Sequence, residues 1–161
     1  MPGNIIAGAS ALFAFFAVGV SFKALRVSQR QQRRDLFLAL HEKLSREDQQ
    51  SGRTVLRERI HSVEDAKDIR AHDAEGHRQA ASALAMLDIL GLYAEKGFVD
   101  KRLVLEEWGR VLVELDYNIR YALRERKQQT QTEWLPWPHL QRLLRDAEEW
   151  AEKQNPGLPR G

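Results

Sequence analysis

A chain of 161 residues, 43% hydrophobic and 30% charged, has material for one core and carries too much charge for a multi-span membrane protein. It has no cysteine, which excludes a disulfide framework and a thiolate zinc site. The net charge of +2 is unevenly placed: Lys23, Arg26, Arg30, Arg33 and Arg34 precede the first acid, Asp35, and without them 20 basic residues face 23 acidic ones. Such a block fits an anionic lipid surface and argues against a nucleic-acid face spread over the domain.

The chain begins with a run from Ile5 to Phe22 that holds no charge. At about 1.5 Å per residue, an eighteen-residue helix covers about 27 Å, close to the hydrocarbon core of about 30 Å. This predicts a transmembrane anchor over residues 1–22. A cleaved signal peptide is the competing reading, with Ala17-Val-Gly19 as its cleavage pattern, and a buried core helix is a third. The flanks favour the anchor, because a signal peptide places its cations before the apolar run and here they follow it. By the positive-inside rule the N-terminus is expected outside a bacterial inner membrane and the remainder in the cytoplasm. Ala7, Ser10, Ala14, Ala17 and Ser21 recur at steps of three and four. They form a small-residue seam on which two such helices could associate in lipid, although alanine and serine are also common in short spans.

Residues 23–44 read as a basic juxtamembrane helix that continues the span through Leu36–Leu40 towards Leu44. Its five cations would each contribute roughly 1 kcal/mol near an anionic leaflet. Residues 45–153 read as a bundle of four to five helices, and 154–161 as a loose tail. Ser45-Arg-Glu-Asp48 resembles a capping arrangement opening a helix whose apolar side holds Gly52, Val55, Leu56 and Ile60. Gly52 marks either a close approach or a merely tolerated glycine. Ser62-Val-Glu-Asp65 repeats the cap for a short segment ending near His72. From Asp73 a wide apolar face runs through Ala80, Leu84, Leu87, Gly91 and Ala94 to a stop at Lys96-Gly97, where Gly97 suits the C′ position. Asp100 then caps a long helix with Val104, Trp108, Leu112, Leu115 and Ile119 at helical spacing. The short joint predicts that these two helices pack as an antiparallel pair. Gln128–Glu133 reads as a polar linker, and Pro138 opens a last helix striped by Leu140, Leu143, Leu144, Ala147 and Trp150.

The stretch from Leu87 to Asp100, followed by Trp108-Gly109, is similar to the helical domain of a bacterial family of small proteins that often carry one N-terminal span. That domain has a comparable Gly-x5-Gly-hydrophobic-hydrophobic-Asp corner. The likeness covers roughly Asp35 to Trp150. It implies an all-α architecture and lends no catalytic residue to any position, since the family has no assigned activity.

Chemistry-bearing groups are few. His72 and His77 are five apart, a spacing that does not place two metal ligands on one helix face. Asp88 stands among apolar neighbours and needs a partner, for which Arg53, Arg57 or Arg59 of the second helix is expected, unless it lies at the exposed edge. Trp134, Trp137 and Trp150 gather in the last module and serve either as core or as a partner surface. There is no phosphate-binding glycine loop, serine elbow or zinc-hydrolase motif, so no enzyme, cofactor, metal or small-molecule substrate is expected. The sequence thus favours a non-enzymatic, single-span interaction or scaffold protein. Its expected partners are membrane lipids and either a second copy or another membrane or cytoplasmic protein. A membrane-perturbing effector that forms a pore or lesion, of the defence-related kind, is the alternative.

Overall fold

The structure is a computed structural model that describes residues 28, 29, 31–130 and 136–154. It is all-helical, with no strand among the described residues. Helix α1 covers residues 31–44. It is followed by α2 (Glu47–Arg59), α3 (Val63–His72), α4 (Ala74–Glu95), α5 (Lys101–Thr130) and α6 (Pro138–Gln154). No helix among the described residues is long and apolar enough to cross a membrane. The apolar run 5–22 lies outside the described residues, as do Ala7, Ser10, Ala14, Ala17, Ser21, Lys23, Arg26 and Arg30 of the expected seam and collar.

Helix α1 is built into the bundle. Phe37, Leu40 and Leu44 recur one helical turn apart and are buried in the core, while Arg33 and Arg34 one turn earlier are exposed. Its C-terminal end is held by Arg53 of α2, whose Nη1 donates to the Leu44 carbonyl at 2.8 Å and whose guanidinium stacks 5.2 Å from the Trp108 ring centre. Burial, then the neighbouring Arg57, lowers the Arg53 pKa from its ordinary value.

Two of the three expected caps form, at Ser62 and Asp100, and a further one forms at Asp73, which the sequence did not single out. Ser62 Oγ accepts from the Asp65 amide at 3.0 Å, and Asp73 accepts from the Gly76 amide at 2.9 Å. Asp100 accepts from the Arg102 amide at 2.9 Å. The exception is α2. Arg46, not Ser45, takes its N-cap position and makes no capping side-chain bond, while the Ser45 carbonyl accepts from Gln50 Nε2 at 2.8 Å. Glu47 and Asp48 still place negative charge in the first turn, where the helix dipole favours it.

The corner after α4 closes as a Schellman motif. The Gly97 amide donates to Ala94 at 3.2 Å and the Phe98 amide to Tyr93 at 2.9 Å, with the Tyr93 and Phe98 rings edge to face at 5.6 Å. Gly97 has φ of 69°, a left-handed conformation that a side chain would strain.

Two expectations are corrected. The segment Gln128–Thr130 belongs to α5 rather than to a linker, because glutamine continues a helix well and the Thr130 hydroxyl donates to the Arg126 carbonyl at 3.1 Å. Helices α4 and α5 touch only weakly; α4 packs mainly on α2 and α6, and α6 also packs on α5. Leu140, Leu143, Leu144 and Ala147 of α6 are all buried, so this last helix takes the place that a simple hairpin would have filled. Gly52 is the close-approach glycine: a β-carbon there would collide with the Gln79 carbonyl and lie 2.8 Å from Ala83 Cβ.

Candidate functional site

Polar chemistry in this fold gathers around α6. Its N-terminus poses a problem that the local sequence does not solve, because the residue before Pro138 is Trp137, which has no capping oxygen. The solution comes from α4: Asp88 Oδ1 accepts from the Leu140 amide at 2.8 Å. Asp88 is therefore neither paired with an arginine of α2 nor fully buried; it is a half-buried carboxylate at the positive end of a helix dipole. The expected partners are engaged elsewhere, Arg53 with Leu44 and Trp108, Arg57 with Glu114 at 3.8 Å, and Arg59 with Asp73 at 2.5 Å.

One turn further along α4, Gly91 lets the α6 backbone settle against the helix. A β-carbon at Gly91 would lie 2.5 Å from the His139 carbonyl oxygen. A turn beyond that, Glu95 accepts from His139 Nδ1 at 2.8 Å and from Arg142 Nη1 at 2.6 Å. These bonds, His139 first, hold the Glu95 carboxyl below its ordinary pKa. Asp88, Gly91 and Glu95 thus form one seat for the first two turns of α6. Lys101 of α5 meets Asp146 of α6 at 2.5 Å, and a cleft of about 230 Å³ lies between this pair and the seat.

The other flank of α6 faces α5. Trp150 packs on Gly109, where a β-carbon would lie 2.7 Å from its ring. Arg120 bridges the helices, its Nε donating to buried Asp116 at 2.6 Å and its Nη2 to Glu148 at 2.9 Å. The Asp116 bond, assisted by Glu148, raises the Arg120 pKa above the ordinary guanidinium value. A second cleft, of about 190 Å³, opens beside Arg120 and is lined also by Leu123, Arg124, Lys127, Gln141, Leu144 and Arg145.

The tryptophans expected as core or partner surface divide. Trp150 and Trp137 are half-buried and pack against the core, Trp137 beneath Arg126 at 4.7 Å from its ring centre. Trp137 has φ of 48°, a strained backbone for a bulky residue that precedes proline. Trp134 lies outside the described residues. Gly97 and Asp100 occupy the corner expected of them, and Arg33 and Arg34 of the collar are exposed. His72 bonds Asp68 at 2.8 Å, and no metal-holding group of three or more ligands occurs among the described residues.

Sequence reasoning missed the long-range polar ties. Glu125, only 6% exposed, accepts from Arg70 of α3 at 2.6 Å, and Asn118 donates to the Ile60 carbonyl at 2.6 Å. Asp116 and Glu125 lie near the apolar stripe of α5 yet are charged, a signal that each needs a cation from another turn or helix. The spacing of Asp116 and Arg120 was readable as an i,i+4 pair. No family model, curated protein or solved structure matches this chain.

Proposed function

We propose that this chain is a single-span protein of the bacterial inner membrane, with its N-terminus outside and its helical domain in the cytoplasm. It acts without catalysis as an interaction or scaffold subunit, assembling with itself or with another membrane or cytoplasmic protein. The observation that carries the proposal is the charge-free run 5–22 directly followed by five cations before any acid. Helix α1 lends support, because the chain passes from exposed Arg33 and Arg34 to buried Phe37 within one helical turn. An anchor joined in this way would hold the bundle close to the headgroups and restrict its orientation. Membership of the helical family resembled at the Gly91–Asp100 corner belongs to the same proposal and adds an architecture, not an activity.

Fractionation of cells expressing the full chain tests the location. The protein is expected to stay in the membrane pellet after carbonate washing, with its C-terminal tail spared by protease added outside intact cells. Recovery in the supernatant, or cleavage of the tail from outside, overturns the reading. Self-association through the seam predicts that Ala14→Leu with Ala17→Leu abolishes cross-linking within the membrane. Leakage of a small dye on overexpression would instead identify the membrane-perturbing class.

A further inference from the structure

The cleft between the C-terminal half of α5 and the first turns of α6 collects more cations than acids among the described residues. Arg120, Arg124 and Lys127 line it from α5, and Arg145 lines it from α6 with Gln141 one turn away. Among the described residues, Arg120 is the one of these four with carboxylate partners, Asp116 and Glu148. Among the described residues, no carboxylate lies within ion-pair distance of Arg124, Lys127 or Arg145. Like charges one turn apart repel by a few tenths of a kcal/mol per pair, so the fold sustains a repulsion that an anion would relieve.

We propose that this cleft binds a phosphate group, presented either by a small soluble phosphate or by a phosphomonoester lipid headgroup. Three features support that ligand chemistry. Arg120 spends Nε on Asp116 and one Nη2 hydrogen on Glu148, which fixes the guanidinium plane while leaving both Nη1 hydrogens for a ligand oxygen. Arg124, Lys127 and Arg145 then supply charge from two helices, a convergence suited to an anion with several oxygens rather than to a single carboxylate. The volume of about 190 Å³ is below the roughly 300 Å³ at which drug-sized and cofactor pockets begin, and it has room for about six waters or one phosphate with a small substituent. Leu123, Leu144 and Pro136 contribute apolar wall, which limits competing hydration. The cleft lies twelve or more residues along α5 from Trp108, the α5 residue that Arg53 of the α1 joint stacks on, so the site does not depend on the anchor.

The test uses the full chain in zwitterionic nanodiscs, with backbone amide shifts of Gln141, Leu144 and Arg145 followed during titration. Inorganic phosphate is expected to shift these amides saturably, with affinity rising several-fold between about pH 6 and about pH 8 as the free ion takes its second negative charge, roughly one unit above a phosphomonoester. Potassium chloride at matched ionic strength should not reproduce the effect. Arg124→Gln with Arg145→Gln should weaken binding by about tenfold for each residue. Arg33→Gln with Arg34→Gln, at the collar, should leave it unchanged. A second arm replaces phosphate with nanodiscs containing phosphatidic acid: shifts there and not with free phosphate identify the headgroup as the source, and the reverse identifies a soluble ligand. The proposal fails if neither source shifts the cleft amides, if chloride matches phosphate, or if the Arg124/Arg145 variant retains its helical spectrum and binds as the parent does.

Discussion

The two ends of the α4 seat solve the same problem by different means. At the corner after α4, the paired backbone amides are served from within a few residues: Gly97 supplies the left-handed turn, Phe98 reaches back to Tyr93, and Asp100 caps α5. At the start of α6, the cap comes from Asp88, 52 positions away. A local terminus can form as soon as its own residues come together, whereas the α6 terminus is completed only when the bundle has assembled. The α6 end should therefore fail first when packing is disturbed, and the corner should survive as a local unit.

The sharpest way to break this comparison is Gly91→Val. Its side chain must displace the His139 backbone, which has no flexible end to yield, and a loss of about 3 kcal/mol in urea unfolding is expected. Asp88→Ala removes only the distant cap and should cost about 1–2 kcal/mol, with faster hydrogen exchange at the Leu140 amide. Asp88→Asn keeps an acceptor and should recover about half of that loss. At the local corner, Gly97→Ala should cost about 1 kcal/mol through backbone strain alone, because no atom lies within 4 Å of the added carbon. Exchange at Leu140 should be unaltered by it; a slowing or acceleration there would mean the two ends are coupled.

This difference also explains what could be read from the sequence. Ser62, Gly97 and Asp100 act within a few residues of their targets, so residue type and spacing suffice to place them; Asp73 caps α4 in the same local way, although its role was not read from the sequence. The stripe on α6 and the apolar face of α4 were equally legible, since a 3.6-residue period records burial whatever the partner helix is. The period does not say which faces meet. The expected α4–α5 pair is largely replaced by contacts of α6 with each, and Asp88, expected to meet an α2 arginine or to lie at the exposed edge, serves a main-chain amide. A backbone donor has no letter in the sequence, so residue types alone do not point to it. The cationic cleft was hidden for a related reason: Arg145 lies eighteen positions beyond Lys127, and only packing of α6 on α5 puts them on one opening.

Acid titration separates the two kinds of terminus further. Asp65 is held below its ordinary pKa first by the His61 amide, Asp73 first by the Gly76 amide and then by Arg59, and Glu95 first by His139 and then by Arg142. In each case the unfolded chain takes up a proton more readily than the folded one. The stabilisation is therefore present above the usual carboxylate range near pH 4 and is lost as pH falls through it towards the folded values. Asp73→Asn should flatten the fall in stability measured by urea midpoint between about pH 5 and pH 3, where these carboxylates titrate. Glu95→Gln should flatten it too, but with a loss of protection confined to the first turns of α6.

The smallest effect tests whether these losses report position rather than charge. Arg102 and Glu106 form a well-aligned pair at 2.7 Å on the first turns of α5, beside the Asp100 cap. The arginine side chain is 85% exposed, so water competes for both partners, and ordering two long side chains offsets much of the attraction. Arg102→Gln should change stability by less than about 0.5 kcal/mol, and that change should vanish in 0.5 M salt. Asp100→Ala, two residues away, removes an acceptor from a helix amide and should cost about 1 kcal/mol regardless of salt. If the exposed pair proved the more costly to remove, helix ends would not be the principal polar determinants of this fold, and the contrast between its local and distant caps would lose its force.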